Sequence, residues 1–136
     1  MWNEELGIRN FLVGLIMILA MAMSGCGGKD YGHMTHEEAQ RLIAADQNVI
    51  VLDVREPDEY DKKHIADAVL LPVEELREGN FSKLPDKEQT ILIYCWTGRR
   101  AEDAAAILVE NGYTKVYEIG GIVDWKGSVV GTDINN

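Results

Sequence analysis

Ile91-Leu92-Ile93-Tyr94-Cys95-Trp96-Thr97-Gly98-Arg99-Arg100 is the stretch on which the fold turns. Thr90 to Tyr94 is a short apolar run without polar alternation, as expected of a strand buried on both faces. From Arg100 to Glu110 the chain reads RAEDAAAILVE, an Ala-rich amphipathic helix, and Asn111-Gly112 supplies its stop. A buried strand leading into a helix is the repeating step of a parallel sheet.

The same alternation extends in both directions. Asn48 to Asp53 (NVIVLD) is a second continuous apolar run, and Lys115 to Ile119 predicts the last strand. Tyr31 to Met34 and Ala68 to Leu71 predict further short strands, the latter stopped by Pro72. Thr35 and Glu38 form a capping box that opens a helix to Ala45, with Ala39, Leu42 and Ile43 at core spacing. Glu56-Pro57 starts a helical turn through Asp61, and Val73 to Glu78 suits a helix ended by Gly79-Asn80. Gly120-Gly121 turns the chain into a short helix holding Trp125, which is expected in the core. No internal repeat is present. The pattern predicts an α/β fold whose parallel sheet is covered by helices on both faces.

Composition narrows the function classes. The chain has 136 residues, 46% hydrophobic and 26% charged, which is room for one ordinary globular domain. With 13 Lys+Arg against 23 Asp+Glu, the net charge of −10 counts against nucleic acid as a partner, because phosphate binding needs clustered cations. Two cysteines support neither a multi-bridge scaffold nor a four-thiolate metal site. His33, His36 and His64 are too few and too spread to suggest a zinc centre.

The N-terminus reads as an address. No charged residue lies between Arg9 and Lys29, and Phe11 to Met23 reads FLVGLIMILAMAM. That length suits a signal peptide and falls short of the roughly 20 residues that span a bilayer unaided. Ser24-Gly25-Cys26-Gly27 resembles a bacterial lipobox, although Met23 stands where Leu is commoner and Glu4 and Glu5 offset Arg9. The resemblance implies cleavage before Cys26 and lipid on its sulfur, and so a chain held on the extracytoplasmic face of a cell membrane. An uncleaved anchor is the alternative reading. The expected organisation is a lipoprotein-type signal peptide at 1–25, a linker at 26–30, one domain at 31–127 and a frayed polar tail at 128–136.

If Cys26 is acylated, Cys95 has no partner within the chain, and a lone thiol on the oxidising side of a membrane is a liability unless it is used. A buried inert cysteine is the plain alternative. The surroundings of Cys95 point to use. It lies at the C-terminal end of a buried strand, where ligands bind in open α/β sheets. The loop after it runs into a helix N-terminus, whose amides and dipole favour an anion. Gly98 lets the loop curl, and Arg99 and Arg100 add positive charge. Each feature favours thiolate over thiol, which makes Cys95 the candidate nucleophile. Trp96, Thr97, Gly98, Arg99 and Arg100 are the candidate substrate-binding residues.

Three motifs in order resemble a single-domain rhodanese, a sulfurtransferase family. They are C-x-x-G-x-R at Cys95, Gly98 and Arg100; Leu52-Asp53-Val54-Arg55-Glu56-Pro57-Asp58-Glu59-Tyr60, continued by His64-Ile65, Ala68 and Pro72; and Gly112-Tyr113 with Gly120-Gly121-Ile122 and Trp125. The resemblance covers residues 31–127 and implies a three-layer sandwich, with a five-stranded parallel sheet between helices. It also implies a cycle in which Cys95 takes a sulfane sulfur from thiosulfate or a persulfide and passes it to a thiophilic acceptor. Partners would be small anionic or thiol donors and acceptors, with a protein thiol as a further class. No metal or organic cofactor is implied. The loop from Cys95 to Arg100 has six residues, like the sulfur-handling members; phosphatase relatives have one more, which ranks phosphatase or arsenate reductase lower. Trp96 follows the nucleophile where Arg is frequent, Ala101 stands where Ser is common, and Lys62-Lys63 replaces a glycine. Glu102 and Asp103 bring negative charge near an anionic substrate. Asp53 and Arg55 are expected to pair and fix nearby loops, and His64 to serve the scaffold. A noncatalytic binding module and a sulfur carrier or redox relay are the competing functions.

Overall fold

In the computed structural model, residues 30–134 are described. The expected signal peptide, the lipidation site Cys26 and the linker up to Lys29 lie outside these residues. In chain order the elements are β1 (Gly32–His33), α1 (His36–Ala45), β2 (Ile50–Asp53), α2 (Pro57–Lys62), β3 (His64–Ile65), β4 (Val69–Leu70), α3 (Val73–Arg77), β5 (Ile91–Cys95), α4 (Arg99–Glu110), β6 (Val116–Gly121), a 3-10 turn (Ile122–Asp124) and β7 (Val129–Val130). Five strands form one sheet in the order β1-β6-β5-β2-β4, with every pair parallel. This is the architecture that the alternating pattern predicts.

Strand alternation divides the core. Leu52, Ile91, Ile93 and Cys95 point to one face, where they meet Val73 and Leu76 of α3 and Ala101, Ala104, Ala105 and Leu108 of α4. Val51, Leu92 and Tyr94 point to the other, where they meet Ala39 of α1, Ile65 and Ile122. The alanines of α4 let that helix approach the sheet closely. α1 begins as expected: Thr35 accepts from the Glu38 amide and the Glu38 carboxylate accepts from the Thr35 amide.

The tail departs from expectation. Residues 128–136 were expected to fray, but β7 pairs antiparallel with β3 in a second, two-stranded sheet. The Thr132 amide then donates to Asp61 O at 3.0 Å and the Asp133 amide to Lys62 O at 2.9 Å. Gly131, with φ +144°, packs its α-carbon against the Lys62 carbonyl. These links are all backbone to backbone, so the polarity of the side chains does not report them. Trp125 caps the 3-10 turn at its end and packs half-buried against the α1-side core, as expected, edge-on to His36 with ring centres 5.2 Å apart.

Candidate active site

β5 ends at Cys95, whose side chain faces α4 and is 1% exposed. The chain then turns at Gly98, which caps α4 with φ +113°, a conformation costly for any residue with a Cβ. The turn aims the Gly98 amide at the sulfur, donating to Cys95 Sγ at 3.0 Å. The Glu102 amide donates to Gly98 O at 3.0 Å and opens the helix. The sulfur therefore sits at the positive end of α4 as well as on an amide donor.

Gly120-Gly121 is the seat of this loop. Opposite β5 the register slips: Ile93 faces Glu118, yet Cys95 faces Gly121, so β6 carries one extra residue. Gly120 takes φ +90° there. A Cβ at Gly121 would overlap the Trp96 carbonyl oxygen and lie 2.6 Å from Thr97 Cα. Gly121→Ala is thus expected to cost about 2–3 kcal/mol of stability, because the obstructing atoms are backbone and cannot rotate away. Urea unfolding measures it, and the loop displacement should also slow alkylation of Cys95.

Arg100 bridges two elements. Its Nη1 and Nη2 donate to Glu59 Oε2 at 2.8 Å and Oε1 at 3.0 Å, clamping the loop to α2. The hydrogen bonds and charge of Glu59 raise the already high pKa of Arg100, with a smaller contribution from the nearby Cys95 sulfur. The paired guanidinium holds the Glu59 carboxyl down at about 2, from 4.5. A depressed folded-state pKa stabilises above the unfolded value and loses that effect as pH falls. The clamp should therefore contribute fully above about pH 4.5 and disappear as pH falls toward 2. Glu59→Gln should remove this stretch of acid sensitivity from an unfolding series.

A buried polar network lies on the opposite face. Asp53 (0% exposed) accepts from Arg55 Nη2 at 2.7 Å, from the Arg55 amide at 3.0 Å and from Tyr94 Oη at 2.5 Å. Arg55 Nη2 also donates to Lys63 O at 2.6 Å, and Tyr94 Oη accepts from the Ile65 amide at 3.0 Å. Burial and the Asp53 charge raise the Tyr94 pKa, so its hydroxyl keeps its proton and donates. The network ties β2 and β5 to the α2–β3 segment. His64 accompanies it, stacked on Tyr60 with Nδ1 2.7 Å from Tyr60 O.

The five residues after Cys95 divide between two sides. Trp96, 45% exposed, and Arg100 border a cavity of about 500 Å³ that reaches Lys62, Lys63 and Asp133. Thr97, Gly98 and Arg99 border a second hollow with His33 and Glu118. Cys95, Gly98 and Arg100 are brought together; the Thr97 and Arg99 side chains are not on the Trp96 side. Among the described residues no cluster of His, Cys, Asp and Glu is arranged to hold a metal ion. Sequence reasoning missed Glu118, which is 6% exposed beneath the loop, accepts from the Gly120 amide and lies 2.7 Å from His33 Nδ1. It also missed Glu59 as the partner of Arg100.

A model of the rhodanese-like domain matches residues 35–128. A thiosulfate sulfurtransferase of Coxiella burnetii, GlpE, is 37% identical over 106 residues, covering 77% of this chain and 96% of that protein. Another from Escherichia coli, PspE, is 40% identical over 73 residues, covering 54% of this chain and 70% of its own length. A solved rhodanese with anions from E. coli superimposes with a TM-score of 0.57 at 36% identity, covering 62% of this chain and 99% of that one.

Proposed function

From the premise that this chain belongs to the rhodanese-like domain family, we propose that it is a sulfurtransferase working through a persulfide on Cys95. The observation that carries this reading is the Gly98 amide donating to Cys95 Sγ at the start of α4. A sulfur held there as an anion is stabilised by a main-chain donor and by the helix dipole.

In the first step the Cys95 thiolate attacks the outer sulfur of thiosulfate. A Cys95–S–S⁻ bond forms, the donor S–S bond breaks, and sulfite leaves with the electron pair. In the second step an acceptor, such as cyanide or a thiolate, attacks the outer sulfur. The persulfide bond breaks and its pair returns to Cys95 Sγ. The loop amides stabilise the charged terminal sulfur, a role of the oxyanion-hole kind. Incubating the full chain in detergent with thiosulfate, followed by intact mass, tests this. The expected result is a gain of one sulfur, about 32 Da, that cyanide removes and Cys95→Ser lacks. No gain would overturn the proposal.

Arg100 has a definite expected effect here. Arg100→Ala removes a cation beside the sulfur and leaves the Glu59 carboxylate unpaired in the cavity wall. Turnover of thiosulfate should fall by about 2–4 kcal/mol of transition-state stabilisation. Glu59→Gln added to that variant should recover part of the loss, since the stranded negative charge is then gone. Equal turnover in the single and double variants would show that the carboxylate does not act on the donor.

The N-terminal segment belongs to the same proposal. Acylation at Cys26 would hold the domain on the extracytoplasmic face, since two buried lipid chains anchor stably. Mass spectrometry of membrane-extracted protein tests it; an intact Met1 or an unmodified Cys26 would exclude it.

A further inference from the structure

The cavity beside the loop is much larger than transfer of one sulfur atom requires. At about 500 Å³ it is the size of a pocket for a small organic molecule. Its charges fall into two groups. Arg55 is committed to Asp53, and Arg100 and Glu59 are committed to each other. Lys62 makes only a long, exposed contact of 3.9 Å with Asp58. Among the described residues neither Lys63 nor Asp133 takes part in an ion pair; Asp133 Oδ1 has only a 3.4 Å contact from Thr132 Oγ1. One uncommitted cation and one uncommitted anion therefore share the wall with an exposed indole, Trp96.

Asp133 does not reach this wall by chance flexibility. The β3–β7 pairing, Gly131 against Lys62 and the Asp133 amide on Lys62 O fix its backbone beside the end of α2. Lys63 is fixed from the other side by Arg55, which donates to its carbonyl. The two opposite charges are thus presented from separate, anchored segments, as recognition of a specific ligand requires.

Resting on the sulfurtransferase reading, we propose that this cavity is a subsite for a small thiol, or its persulfide, that carries both an ammonium and a carboxylate. Lys63 takes the carboxylate, Asp133 takes the ammonium and Trp96 covers the carbon chain. As acceptor, such a thiol loses its proton to solvent and its sulfur attacks the outer sulfur of Cys95–S–S⁻. A new S–S bond forms, the persulfide bond breaks toward Cys95 Sγ, and the product leaves as R–S–S⁻. Lys63, Asp133 and Trp96 set which acceptor is preferred.

The test uses the full chain in detergent, loaded with thiosulfate, freed of excess donor and mixed with four acceptors: cyanide, cysteine, cysteamine and 3-mercaptopropionate. Relative to cyanide, Lys63→Ala should lower transfer to cysteine and 3-mercaptopropionate about tenfold, the effect of one lost charge-assisted contact. Asp133→Asn should lower cysteine and cysteamine by a similar factor. Asp133→Lys should shift preference toward 3-mercaptopropionate. Acceptor ratios identical to wild type in all three variants, or a cyanide rate that falls in step with the thiol rates, would overturn the subsite. Failure of the wild type to pass sulfur to any acceptor would instead overturn the sulfurtransferase reading on which it rests.

Discussion

Cys95→Ser should lower turnover with thiosulfate and cyanide by at least about 10⁴-fold, the scale on which removal of a covalent nucleophile acts. The reason is chemical. A serine hydroxyl is a far weaker nucleophile than a thiolate and cannot be the inner sulfur of a persulfide. The reason is not structural, since serine preserves the shape of a side chain that is 1% exposed and still offers an acceptor to the Gly98 amide. The unfolding midpoint should therefore move far less than activity does. Thiocyanate formation measures the first quantity and thermal unfolding the second. Residual turnover within tenfold of wild type would mean that the sulfur passes through some other group.

The largest effect on stability is expected at Asp53. Asp53→Ala leaves Arg55 buried and uncompensated, with 1% of its surface exposed, and strips the Tyr94 hydroxyl of its acceptor. Breaking one side of a buried ion pair costs about 3–5 kcal/mol. Urea unfolding should show that loss. A milder effect is expected from Asp53→Ala combined with Arg55→Met, because no charge is then left unpaired. A loss below about 1 kcal/mol in the single variant would contradict the network as described.

What could be read in the sequence was what is local. Thr35 and Glu38 are three residues apart, so their capping box is written in adjacent letters. Cys95, Gly98 and the start of α4 are likewise contiguous, and the apolar runs at 48–53 and 90–94 mark the strands Ile50–Asp53 and Ile91–Cys95 wherever they dock. What could not be read depends on partners brought from far along the chain. Glu59 lies 41 residues from Arg100, and nothing near either one announces the clamp. The sequence shows that Arg100 adds positive charge to the loop; it does not show that the fold engages both of its Nη atoms. Glu118 sits mid-strand, where a carboxylate suggests a solvent-facing position; the Gly120 amide and His33 are what allow its burial. β3 and β7 have two residues each, too few for any period to show.

The division of β5 between the two faces carries a consequence for its length. Tyr94 serves one layer and Cys95 the other, so the placement of the thiol beside α4 depends on parity. Inserting one residue between Ile91 and Tyr94 would carry the thiol across to the α1 side and the phenol toward α4, forfeiting both assemblies together. Inserting two would restore the handedness of the arrangement while displacing it along the sheet by about 7 Å. Between Gly79 and Glu88, which lie outside every strand and helix, chain length is under no such arithmetic.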